Sequence, residues 1–185
     1  MDDKQILDLF WSRSENAVYE TGMKYGKLCM RLAMNILSSL EDAEECVNDT
    51  YLGVWNAIPP QRPVSLSAFI CKITRNLALK KYEYVSARKR NPVVAVSLTE
   101  LEDCISGLET IEEQIENRRI EEVISEFLRT LDYIERNVFL RRYWYFDSIE
   151  EIAIRFNISN SKTTSMLFRT RKKLRSHLQK EGINL

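Results

Sequence analysis

The sequence predicts an all-α protein: two small helical domains joined by an extended acidic linker. Three observations carry this. Glycine and proline are sparse, 5 and 4 in 185 residues, and alternating strand patterns are almost absent. Apolar residues recur instead at i, i+3 and i+4 along most of the chain. Charge is laid down in blocks, although Lys+Arg and Asp+Glu balance at 27 each. The charged residues of 32–61 are all acids, those of 69–90 are bases apart from Glu83, those of 91–117 are all acids and those of 162–180 are all bases. Segregation on this scale points to separate faces for separate partners.

The elements run in order. A first helix is predicted over about Lys4–Trp11. Ser12–Glu15 has capping-box form and starts a second helix running to about Leu37. Ser39, with Asp42 three residues on, starts a third, which carries Ala43, Val47, Tyr51, Val54 and Trp55 and stops at Pro59-Pro60. "IPPQRPVSLS" at 58–67 holds three prolines and reads as a loop. Ser65 or Ser67 caps the next helix, with Phe69, Ile70, Ile73 and Leu77 on one face. Residues 91–117 show no sustained period and include Pro92 and Gly107, so they read as the extended linker. A further helix carries Ile120, Val123, Ile124, Phe127, Leu128 and Leu131, and another covers about Ile134–Tyr145. The expected domains are therefore 1–90 and 118–185.

The last two helices have a specific geometry. Ile149, Ile152, Ala153 and Phe156 form a short apolar face. Asn157 tolerates the left-handed conformation that a helix stop needs, and Ser159 or Ser161 can cap the final helix. In that helix Thr163, Leu167, Thr170, Leu174 and Leu178 form the inner stripe. Thr164, Ser165, Phe168, Arg169, Lys172 and Arg175 point outward. Helix, tight turn and a second helix with a basic outer face make a helix-turn-helix able to enter a major groove. A merely solvated basic face is the competing reading. On the DNA reading, Lys162, Thr164, Ser165, Phe168 and Arg169 near the helix start read bases. Arg171, Lys172, Lys173 and Arg175 hold phosphates.

Several classes are excluded or unsupported. No apolar run approaches the ~20 residues that span a bilayer. The N-terminus is acidic and lacks a signal-peptide core, so a cytoplasmic protein is expected. Cys29, Cys46, Cys71 and Cys104 form no CxxC pair and read as small buried thiols. With one histidine, His177, a zinc site is not expected, and neither is any other metal or cofactor. No GxSxG, GxxxxGK[ST] or GxGxxG is present, so neither an enzyme nor a small-molecule substrate is expected.

"EEIAIRFNISNSKTTSMLFRTRKKL" at 150–174 resembles the C-terminal DNA-binding domain of bacterial RNA polymerase sigma factors. "SLEDAEECVNDTYLGVWNAIP" at 39–59 is similar to their polymerase-docking helix, and "LSAFICKITRNLALKKYEYVSARKR" at 66–90 to their promoter-melting helix. The absence of further domains resembles the extracytoplasmic-function (ECF) group. The resemblance implies a region 2 helical bundle and a region 4 helix-turn-helix. It implies core RNA polymerase and promoter DNA as partners, with room for an anti-sigma factor. Asp42, Glu45, Asn48 and Asp49 would face the polymerase clamp; Trp55 would be either a docking contact or a core anchor. The melted downstream (−10) strand would meet Arg62, Arg75, Asn76, Lys80, Lys81, Tyr82, Arg88, Lys89 and Arg90, unless Tyr82 packs inward. The final helix would read the upstream (−35) element in duplex form. The linker would be either a nucleic-acid mimic inside the polymerase or a plain tether. Thr164 and Met166 stand where the family often has Lys or Arg, so the family's upstream preference does not transfer directly. Gly53 stands mid-helix at a cost of ~1 kcal/mol. A stand-alone regulator binding operators without polymerase is the alternative, and it leaves the acidic helix unexplained.

Overall fold

The computed structural model describes residues 1–84, 91–105 and 113–183, with the side chains of 102–105 and 113–118 left aside. Arg88, Lys89 and Arg90 lie outside the described residues, as does the Cys104 side chain. The described residues form nine helices in two compact units, Met1–Asn91 and Pro92–Leu185.

The first unit contains α1 (Asp3–Trp11), α2 (Asn16–Leu37), α3 (Leu40–Ala57) and α4 (Leu66–Tyr84). A capping box between Asp2 and Gln5 starts α1. The capping box expected at Ser12–Glu15 does not form. Glu15 has helical φ/ψ and no side-chain bond, Arg13 turns the chain with φ 53°, and α2 begins on turn hydrogen bonds to Ser14 and Glu15 carbonyls. Ser39 caps α3 through the Asp42 N–H, as expected. Ser65, rather than Ser67, receives the Ala68 N–H at the start of α4.

The α2–α3–α4 stack is close-packed for identifiable reasons. Three buried threonines meet no water, so they bond locally: Thr21 donates to the Ala17 carbonyl, Thr50 to Cys46 and Thr74 to Ile70. Thr50 and Thr74 also meet across α3 and α4 at 3.2 Å. A Cβ on Gly53 would stand 3.0 Å from Ile73 of α4, and one on Gly26 would stand 3.0 Å from the Tyr51 hydroxyl. That approach explains a glycine in mid-helix. Cys29, Cys46 and Cys71 are buried free thiols, and burial pushes Cys46 up to about 11.

The second unit contains α5 (Pro92–Ile105), α6 (Glu113–Thr130), α7 (Tyr133–Tyr143), α8 (Ile149–Phe156) and α9 (Asn160–Lys180). Its core gathers Phe127, Leu131, Val138, Phe139, Ile152, Leu167, Leu174 and Leu178. Phe127 and Phe139 meet edge to face at 6.5 Å. Helix α5 corrects the expected extended linker over most of its length. Pro92 occupies the first helical position, where proline is favoured because its missing N–H has no intrahelical partner. Val94 and Ser97 are fully buried and Leu101 packs against the core. A serine at the centre of that stripe hides its period from a hydropathy reading; its hydroxyl is satisfied by the Val93 carbonyl at 2.7 Å.

Candidate nucleic-acid interface

Helices α8 and α9 form the helix-turn-helix. Ser148 and Glu151 make a capping box on α8. Asn157 ends it with φ 52°, and the Ile158 N–H returns to the Ala153 carbonyl at 3.0 Å. Ser159, rather than Ser161, caps α9 through the Lys162 N–H. Thr163, Leu167, Thr170, Leu174 and Leu178 are buried, as the spacing predicts, and Met166 joins them. Thr163 and Thr170 spend their hydroxyls on the Ser159 and Met166 carbonyls, so they can line an apolar seam.

The outward face holds Lys162, Thr164, Ser165, Phe168, Arg169, Lys172 and Arg175, all exposed. Phe168 is 50% exposed, and the Lys172 ammonium stands 4.9 Å from its ring centre. That contact orients a cation beside a bare aromatic face.

Two of the expected phosphate contacts hold partners within the second unit. Arg171 is half-buried: it reaches Glu100 at 3.3 Å and donates to the Tyr143 hydroxyl at 2.5 Å. Lys173 holds Glu135 of α7 at 2.8 Å. Basic residue type shows in sequence; the partner does not.

In the first unit α4 presents Lys72, Asn76, Lys80 and Tyr84 to solvent. Its buried stripe is Leu66, Ile70, Cys71, Thr74, Ala78 and Tyr82, rotated from the expected one, with Phe69, Ile73 and Leu77 half-buried. Tyr82 is thus a core residue, 8% exposed, and its ring does not offer a stacking surface. Tyr84, 82% exposed, does. Arg75 is half-buried, and desolvation lowers its pKa. Lys81 bridges Glu45 at 2.6 Å and Asp42 at 2.9 Å, which raises its pKa through the Glu45 bond first. It belongs to the α3–α4 joint more than to a free basic face.

The loop 58–65 carries Arg62 and a fully exposed Val64. The Arg62 guanidinium stacks on Trp11, itself 37% exposed at the end of α1. Sequence reasoning missed Trp11. Its only signal was that it falls off the Ile6–Phe10 stripe.

The acidic helix α3 exposes Glu45, Asn48 and Asp49, with Asp42 half-buried. Leu52, Tyr19 and Met23 are exposed apolar residues on α3 and α2, also missed. Val18, Asn48, Tyr51, Leu52 and Trp55 line a shallow hollow. Trp55 is half-buried: it packs 6.2 Å from Phe10, and Arg13 lies over its ring and donates to its carbonyl at 2.8 Å. It is both anchor and hollow wall.

Among the described residues there is no cluster of His, Cys, Asp and Glu fit to hold a metal, and no helix long and apolar enough to cross a membrane. Residues 23–90 match the family model of Sigma-70 region 2, and residues 121–174 match that of Sigma-70, region 4. No curated protein matches the chain.

Proposed function

The chain belongs to the sigma-70 family, as a promoter-recognising sigma factor of the ECF group, and from that premise we propose that it docks on core RNA polymerase through α3 and reads two promoter elements. Helix α9 reads the upstream (−35) duplex element. Helix α4 and the 58–65 loop take the melted downstream (−10) strand. Catalysis belongs to the polymerase.

The observation that carries this reading is the outer face of α9. Lys162, Thr164, Ser165, Phe168, Arg169, Lys172 and Arg175 are exposed on a helix whose start is fixed by Asn157 and Ser159. Arg169 has the fork geometry for guanine O6 and N7, and Phe168 suits a thymine methyl. Lys172 and Arg175, in later turns, suit phosphates. On α4, exposed Lys72, Lys80 and Tyr84 supply cations and a ring for unstacked bases. Extruding a base costs a few kcal/mol, so a loop held in advance by a Trp11–Arg62 stack lowers that demand. The acids of α3 beside Leu52 and Tyr19 suit a basic partner with an apolar centre: charge steers and fixes register, and the apolar residues add affinity.

The test is transcription by core polymerase, with and without the protein, on a promoter library. The reading requires initiation that depends on both. Duplex binding that owes nothing to core, with no initiation, would favour a stand-alone regulator.

A further inference from the structure

Glu100 of α5 lies outside both matched regions, yet three side chains of the second unit, Arg142 and Tyr143 of α7 and Arg171 of α9, converge on it. Its Oε2 accepts from the Tyr143 hydroxyl at 2.9 Å, from Arg142 Nε at 3.4 Å and from Arg171 Nη1 at 3.3 Å. Its Oε1 accepts from Arg142 Nη2 at 3.3 Å. The Tyr143 hydroxyl also accepts from Arg171 Nη1 at 2.5 Å. Burial of Tyr143 pushes its pKa well above the ordinary value of 10.0, so the phenol stays neutral and serves both neighbours at once.

The network is sheltered. The side chains of Arg142, Arg171 and Glu100 are 5%, 20% and 26% exposed. A carboxylate shared by two guanidinium groups at this depth restrains them far more than a surface pair would. Arg171 sits on α9 three residues after Phe168 and four before Arg175, so it borders the outward face on the side turned toward α5. Fixing its guanidinium therefore fixes the rotation of α9 about its own axis. Base reading is sensitive to that rotation, because a bidentate contact tolerates little misplacement.

We propose that Glu100 is a positioning residue for base reading: acting through Arg171 and Tyr143, it sets the angle at which α9 offers Phe168 and Arg169 to the groove. The segment between the two matched regions is on this account a working part of the DNA-reading unit. The inference rests on the reading of α9 as a groove helix. It predicts that α5 governs which sequence is preferred, while phosphate holding by Lys172 and Arg175 is left intact.

The experiment uses full-length protein assembled with core polymerase, on a duplex library randomised at the upstream element. Glu100→Gln and Tyr143→Phe are compared with wild type, and each is melted to measure its folded fraction. Glu100→Gln is expected to lower the ratio of best-site to average-site binding about tenfold, with average-site binding within about twofold. In an Arg171→Ala background, Glu100→Gln should change that ratio less than about twofold, because the two act along one route. A brace that merely keeps the unit folded would lower both kinds of binding with the folded fraction and leave the sequence profile unchanged; that result overturns the proposal. So does tighter duplex binding by Glu100→Gln with a steeper salt dependence, which would make Glu100 a stand-in for a phosphate. If Glu100→Gln does not fold, Tyr143→Phe replaces it: a lowered ratio again supports the proposal, and an unchanged profile again overturns it. Wild-type protein that supports no core-dependent initiation sinks the functional reading instead, and is recognised before any variant is compared.

Discussion

The Arg62 guanidinium lies 4.0 Å from the centre of the Trp11 indole ring, joining the loop between α3 and α4 to the end of α1. Exposed cation–π pairs contribute about 0.5–1 kcal/mol. Trp11→Ala is expected to reduce open-complex formation roughly two- to fivefold, with core binding unchanged, and Trp11→Phe to keep most of the activity. Fluorescence of a base analogue in the downstream element reports melting, and co-purification reports core binding. Equal melting by Trp11→Ala and wild type would remove the stack from the mechanism.

Docking is tested best away from Lys81. Glu45 already holds that lysine at 2.6 Å, so reversing Glu45 disturbs the α3–α4 joint as well as any partner. Asp49 and Leu52 are exposed on the same helix. Asp49→Lys with Leu52→Ala is expected to weaken assembly with core about tenfold or more, with thermal stability unchanged. Competition binding against wild type measures this, and an equal share of core for the double variant would contradict the assignment.

Positioning and reading should separate along α9. Lys172→Ala is expected to weaken promoter binding evenly across sequences and to flatten the salt slope by roughly one unit. Arg169→Ala should cost on the order of 1–3 kcal/mol on the preferred element and shift the preference itself. A randomised upstream element scored for both variants decides it. A shifted profile for Lys172→Ala, or an unmoved one for Arg169→Ala, would mean the helix has been divided wrongly.

Asp3 ties α1 to α2 through Lys24, at 2.6 Å, and Tyr25. Those bonds, Lys24 first, hold its pKa below the ordinary 3.8. A depressed folded value means that the stability is complete above 3.8 and is lost as pH falls through the lower folded value. Solvent screens this pair, whose side chains are 36% and 41% exposed, so Asp3→Asn should lower stability near neutrality by roughly 0.2–1 kcal/mol and flatten the acid limb of the first unit's melting curve. Melts of both proteins across that acid range check the sign. An acid limb of equal depth in Asp3→Asn would assign it to other carboxylates.

The helix-turn-helix was legible because local and global signals agree there: Ser148, Asn157 and Ser159 mark the ends, and the stripe from Thr163 to Leu178 keeps its period. Helix α5 was not legible. Val93, Val94 and Val96 are weak helix formers, Ser97 breaks the apolar stripe although it is buried, and Glu100 finds its place through partners distant in sequence. The same cause hid the partners of Arg171, Lys173 and Lys81. Each is a base in a basic run, and nothing in the run says that Glu100, Glu135 or Glu45 waits opposite. Trp55 and Tyr82, left open between core and interface, differ by burial alone, which periodicity resolves poorly near a helix end.

The two glycine contacts of α3 and α2 constrain how such a surface can evolve. Gly53 brings α3 against Ile73 on one side, and Gly26 accommodates Tyr51 of α3 on the other; a Cβ at either would stand 3.0 Å from its neighbour, which would have to give by a few tenths of an ångström. Helix α3 is therefore gauged from both flanks, like a card in a slot. Drift at its exposed positions can retune the partner it greets, one side chain at a time, without altering the angle of presentation. A larger residue would press on Ile73 at Gly53 or on the Tyr51 hydroxyl at Gly26, and where that neighbour did not give way the exposed side chains of α3 would shift together. Variation among descendants of this sequence should accordingly concentrate at Glu41, Glu44, Asn48 and Leu52, and spare the two glycines.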